Sequence, residues 1–164
     1  MVRGMPENVD TENLNDARQR VEVAGDVGST PMQAQIARAD ELLADGRCVA
    51  AAAVLERAIQ HVGPDPAAYQ KLGEAFVKRK NWAIADHYLQ QATESGLQTL
   101  DHRQCHLRVK LERRHFAEAI PLFQADGMIP DTVTVDQLLA FAHACWLEHG
   151  LDALAEQIND LAYA

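Results

Sequence analysis

The 164-residue sequence is short of aromatic rings, cysteine and positive charge, and each shortage removes a class of function. Aromatic residues make up 5% of the chain while hydrophobic residues make up 48%. Alanine and leucine must therefore fill the interior, which points to closely packed helices rather than sandwiched sheets. Fifteen Lys and Arg stand against 24 Asp and Glu, giving a formal net charge of −9. A nucleic-acid surface needs concentrated cations, and so does docking on an anionic membrane; neither is expected here. A basic or amphipathic polypeptide is the partner that such a charge favours. Cys48, Cys105 and Cys145 are scattered and form no CxxC pair, so no disulfide framework is expected and a reducing compartment fits. The N-terminus lacks the apolar stretch of a secretory signal, and no run approaches the roughly 18 apolar residues of a membrane helix. These absences lead to the expectation of a cytoplasmic protein without membrane insertion. Phosphate-binding glycine loops, the HExxH pattern and a strand-to-helix nucleophile elbow are missing too, so neither an enzyme nor a bound cofactor is expected.

Residues 1–30 differ from the rest. They carry six acids against three arginines and end in Gly25, Gly28, Ser29 and Thr30. This reads as a polar, mobile tail ahead of one domain, 31–164. From Met32 onward a period appears. Ala51, Ala85, Ala119 and Ala153 are each 34 residues apart. The same step relates Cys48, Trp82 and Phe116, and also Leu55, Leu89 and Phe123. Four units follow: about 32–65, 66–99, 100–133 and 134–164. Turn residues fall between them, at Gly63 to Pro66, at Ser95 and Gly96, and at Gly127 to Asp131. Asp131 or Thr132 is the expected cap of the next helix. Pro121 is expected to kink its helix or shift its start. The fourth unit matches poorly; it reads as a shortened or capping unit that slips by two residues and turns at Gly150.

The second unit carries Tyr69, Leu72, Gly73 and Phe76, then Trp82, Ala85, Leu89 and Ala92. In these eight positions the chain resembles the tetratricopeptide-repeat family, and the resemblance spans roughly residues 32–164. It implies an all-α fold, a right-handed superhelix of antiparallel helix hairpins. Gly73 and Ala85 are small where two helices approach closely, and the large residues fill the space between neighbours. In the third unit Arg103, His106 and Lys110 stand where apolar residues are expected, which leaves the register of that helix open.

The resemblance also implies a concave groove lined by the first helix of each unit. The residues at lining offsets include Ile36, Asp40 and Leu43 in the first unit. They include Gln70, Glu74, Val77 and Lys78 in the second, and Gln104, Arg108 and Leu111 in the third. Apolar members can bury a peptide's anchors while polar ones hold its backbone. Glu74 and Arg108 fall at the same offset of successive helices, which makes them candidates for a mutual ion pair. Chaperone-binding family members grip a terminal carboxylate with Lys, Asn and Arg. At corresponding offsets this chain has Ile36, Asp40, Lys71, Asp101 and Cys105, so that clamp is absent. The expected function is a non-enzymatic scaffold or adaptor holding another protein or peptide, with a homo-oligomer left open. Two alternatives stand beside it: a cytoplasmic chaperone of the kind that serves type III secretion translocators, and the regulatory repeat domain of a larger enzyme.

Two clusters need separate treatment. His102, Cys105 and His106 share one helical face, a spacing that suits zinc, but no fourth ligand is evident. They read as a solvated face beside a buried thiol, without metal. Lys78 to Asn81 form the single basic knot, expected in a solvated turn.

Overall fold

The computed structural model describes residues 32–163, and the tail at 1–30 lies outside them. Eight helices occur among the described residues: α1 (Met32–Ala44), α2 (Cys48–Val62), α3 (Pro66–Lys78), α4 (Trp82–Glu94), α5 (Leu100–Glu112), α6 (Phe116–Asp126), α7 (Val135–Leu147) and α8 (Asp152–Tyr163). No strand appears among the described residues, so the fold is all-α. Among the described residues no helix is long and apolar enough to cross a membrane.

Local chemistry accounts for where the helices begin. Pro66 opens α3, where a missing N–H is harmless, and the Asp65 carboxylate accepts from the Ala68 amide at 3.0 Å. Asn81 and Thr99 cap α4 and α5 in the same way. Helix α7 starts with a reciprocal capping box between Thr134 and Gln137. The cap is thus Thr134, not Asp131 or Thr132. Pro121 lies inside α6 without shifting its start, which falls at Phe116 as the period requires. Its side chain and Ala117, whose carbonyl it deprives of a donor, are both exposed, so water can serve that carbonyl.

The 34-residue step is visible in the backbone. Met32, Pro66 and Leu100 begin the first helices of three pairs; Cys48, Trp82 and Phe116 begin the second. Gly46, Lys80 and Arg114 turn the chain between the helices of a pair, each with positive φ. At each turn the same two hydrogen bonds recur, for example Lys80 N–H to the Val77 carbonyl and Asn81 N–H to the Phe76 carbonyl, both 2.9 Å. Burial repeats as well. The buried positions of α3 are Ala68, Leu72, Gly73, Ala75 and Phe76. Those of α5 include His102, His106, Leu107, Val109 and Lys110, each 34 residues on. The register of α5 therefore holds despite its polar residues. In the fourth pair the step lengthens to 35 at Val135 and 36 at Asp152, and Ala155 is buried where strict repetition would place Ala153.

Each helix packs on its neighbours in sequence. In addition α1 contacts α3, α3 contacts α5 and α5 contacts α7, while successive second helices make no comparable contact. At Gly73 α3 and α4 approach closely: a Cβ there would lie 2.6 Å from Leu89 Cγ. The apolar interior forms two bodies. One joins α1 to α4 around Leu55, Leu72 and Leu89 and takes in Val109 of α5; the other joins α5 to α8 around Leu107, Phe123 and Phe141.

Candidate partner-binding face and the polar seam beside it

The side chains assigned from sequence to the face of the first helices divide into three groups. Leu43 and Leu111 are buried in the two apolar bodies, so they are withdrawn from the accessible row; their helix register turns them toward neighbouring helices. Lys78 is exposed, and its ammonium donates to the Leu43 carbonyl at 2.8 Å. It satisfies the C-terminal end of α1, a structural duty. Of the remaining residues Asp40 is exposed and the others are half-buried. Lys71 bridges Asp40 of α1 and Glu74 of α3, both at 3.0 Å, and Gln70 donates to Glu74 at 2.9 Å. Burial opposes the charge on Lys71, but its two carboxylates prevail and raise its pKa. Ile36 and Val77 lie against the first apolar body, and Gln104 is half-buried on α5.

Glu74 and Arg108 do not pair among the described residues. Glu74 is engaged by Gln70 and Lys71, whereas the Arg108 guanidinium lies over the Trp82 ring, 5.6 Å from its centre. Arg108 Nε is buried there with no acceptor among the described residues. Cys105 shares this neighbourhood. Burial, with Glu74 nearby, pushes its thiol up to about 12, which makes it a poor nucleophile.

Between the two apolar bodies runs a polar seam. Asp86 of α4 is buried in the position that Ala52 and Ile120 hold in adjoining second helices. Its carboxylate accepts from Lys110 Nζ at 2.7 Å, from His106 Nε2 at 3.0 Å and from Arg113. Burial would raise the Asp86 pKa, yet the His106 and Lys110 hydrogen bonds hold it well below the usual carboxylate range. Lys110 also reaches Glu118 at 2.5 Å. Nearer the other end of α5, Arg103 grips both oxygens of Asp126, at 2.7 and 2.6 Å. Arg103 and Asp126 occupy the third-unit positions of Tyr69 and Ala92.

The reading of His102 and His106 as a solvated face is corrected: both rings are buried. Thr93 spends its own proton on the Leu89 carbonyl at 3.1 Å, so its oxygen accepts from His102 Nε2 at 2.8 Å. Burial, with His106 and Arg103 adding to it, lowers His102 to about 4, so the ring is neutral. The donors of His102, Cys105 and His106 do not converge. Among the described residues the group whose donors lie within 4.8 Å of one another is Asp86, His115 and Glu118. There the Lys110 ammonium already stands between two of them.

Sequence pattern singled out His106 and Lys110 as misfits but missed their partner. Asp86 was the available signal: an acid at a buried offset of α4, facing a base at a buried offset of α5. No family model matches the chain, and no curated protein gives a match either.

Proposed function

We propose that this chain is a tetratricopeptide-type helical repeat that holds a partner polypeptide along the face of its first helices and does no chemistry itself. The recurring turns, helix starts and buried offsets support the repeat. First helices that touch one another while second helices stand apart favour a stack that bends toward the first-helix side, which makes that side a groove. We place the protein in the cytoplasm on the strength of its dispersed cysteines.

The observation that carries the binding site is Arg108. Its guanidinium is oriented by Trp82, and its buried Nε has no acceptor in the described residues. An incoming carbonyl or carboxylate would satisfy that donor, and the row from Asp40 to Gln70 would engage the adjoining backbone. The test is affinity capture from native cells, followed by titration of the captured partner against variants. Arg108→Ala and Glu74→Ala should weaken binding by about 1–3 kcal/mol, roughly tenfold to a hundredfold. Gln90→Ala, on an exposed face of α4, should change it by less than about 0.5 kcal/mol. Groove variants that bind like wild type, with Gln90→Ala impaired, would move the site to the second helices.

A further inference from the structure

The last helix pair has an uncovered seat. Trp146 of α7 holds the place of Leu111 on α5, 35 residues earlier, and Ala142 holds that of Leu107. Leu111 is 2% exposed and packs in one apolar body with Leu138 and Phe141 of α7. Trp146, by contrast, is 57% exposed. A face that the following hairpin covers in the third unit is therefore open in the fourth. A wholly polar face is what a capping unit would present there. Instead a furrow of about 590 Å³ runs between α7 and α8. Ala142 and Ala155 form its floor, Leu139 and Trp146 one wall, and Asp152 and Glu156 the other. Residues 139, 142 and 146 follow helical spacing, as do 152, 155 and 156, so the furrow has the straight, ridged form that receives another helix.

Charge selects the occupant. After Arg114 the sequence contains no Lys or Arg to its end, but it contains eight Asp and Glu. Glu118 and Asp126 are neutralised by Lys110 and Arg103. Asp152 and Glu156 make no ion pair among the described residues and border the apolar floor directly. A second copy of this chain would bring the same acids against them. The segment 1–30, with six acids against three arginines, is also the wrong sign. We propose that the α7–α8 furrow seats an amphipathic helix from a basic protein partner. Its apolar stripe would lie on Trp146 and Ala142, and its Lys or Arg would reach Asp152 and Glu156. This site is separate from the groove around Arg108.

The probe is a synthetic peptide of about four helical turns with leucines on one face and lysines elsewhere. A control keeps the leucine stripe and replaces every lysine by glutamate. Calorimetric titration of the whole chain should give one saturable site for the lysine peptide, in about the micromolar range, and none for the glutamate peptide. Trp146→Ala should weaken the lysine peptide about tenfold or more, and Asp152→Lys with Glu156→Lys by a similar factor while flattening its salt dependence. These side chains are exposed, so circular dichroism should show each variant folded. Arg108→Ala should bind the peptide like wild type, which separates this site from the groove. The proposal fails if the lysine peptide does not bind, if both peptides bind equally, or if the furrow variants bind like wild type. It fails equally if sedimentation shows a dimer that Trp146→Ala dissolves, because the occupant would then be a second copy.

Discussion

Removing Asp86 should do more damage than removing the whole cluster of which it is the centre. Its carboxylate takes hydrogen bonds from Lys110, His106 and Arg113, and the side chains of Lys110 and His106 are about as buried as its own. Asp86→Ala leaves the Lys110 ammonium with only the exposed Glu118 and leaves His106 Nε2–H with no acceptor. Stranding one side of a buried charge pair costs about 3–5 kcal/mol. For a domain of this size that is a fall in Tm of roughly 10 °C. The repeat itself suggests the compensating change. Ile120, Leu72 and Phe76 hold the equivalent positions, so Asp86→Ile, His106→Leu and Lys110→Phe together would continue the apolar pattern across the seam. Replacing a buried ionic cluster by well-packed apolar groups is commonly neutral or stabilising by about 1–4 kcal/mol. Arg113 has enough exposure to turn to water. Urea unfolding followed by circular dichroism would read both variants. If Asp86→Ala costs less than about 1 kcal/mol, or the triple variant is as unstable as the single one, the ionic account of the seam is wrong.

Three further outcomes are expected. Gly73→Ala gains about 1 kcal/mol of helix propensity but forces a Cβ to within 2.6 Å of Leu89 Cγ, so it should destabilise by about 1–2 kcal/mol net; an unchanged urea midpoint would refute the close approach. Lys80→Gly and Arg114→Gly relieve non-glycine residues at φ of 56° and 58° and should each stabilise by roughly 0.5–1 kcal/mol, measured the same way; destabilisation by both would refute the strain. His102 is lowered from 6.5 to about 4 in the fold, so between those values the unfolded chain takes up a proton that the folded chain refuses. Stability should therefore fall as pH drops from 6.5 to 4, by up to about 3 kcal/mol, and His102→Gln should flatten that slope; an equal slope in the variant would assign it elsewhere.

Much of the architecture was legible because it rests on local signals. Glycine and capping residues mark the helix ends, and small and large apolar residues recur at one step, so helix existence and the first three boundaries follow from the chain alone. The fourth pair departs because α6 ends two residues early and eight residues, not five, lead into α7, while four rather than three precede α8, which repetition cannot foresee. The inner row was half legible. Gln70, Glu74 and Asp40 come together through Lys71, whose role as bridge depends on the distance between α1 and α3. Leu43 and Leu111 stand at the chosen offsets yet turn inward, since a helix face is wider than one row of residues. Arg108 and Glu74 share an offset, but a flat aromatic ring competes for the guanidinium and Lys71 for the carboxylate. Least legible was the seam. Single-helix reasoning sees a histidine and a lysine as solvated, and only pairing across helices shows that an aspartate has made their burial tolerable.

The seam has a mechanical consequence. An apolar contact between helices resists separation but discriminates weakly among small slides and rotations, because one methyl group serves nearly as well as the next. A carboxylate held by donors from three positions on α5 and its following turn admits only one alignment, since hydrogen bonds fail within a fraction of an ångström. The joint between the second and third helix pairs is thus the one whose angle is locked. The angle between those two pairs is set there by polar contacts, while Val109 of α5 adds an apolar contact across the same joint.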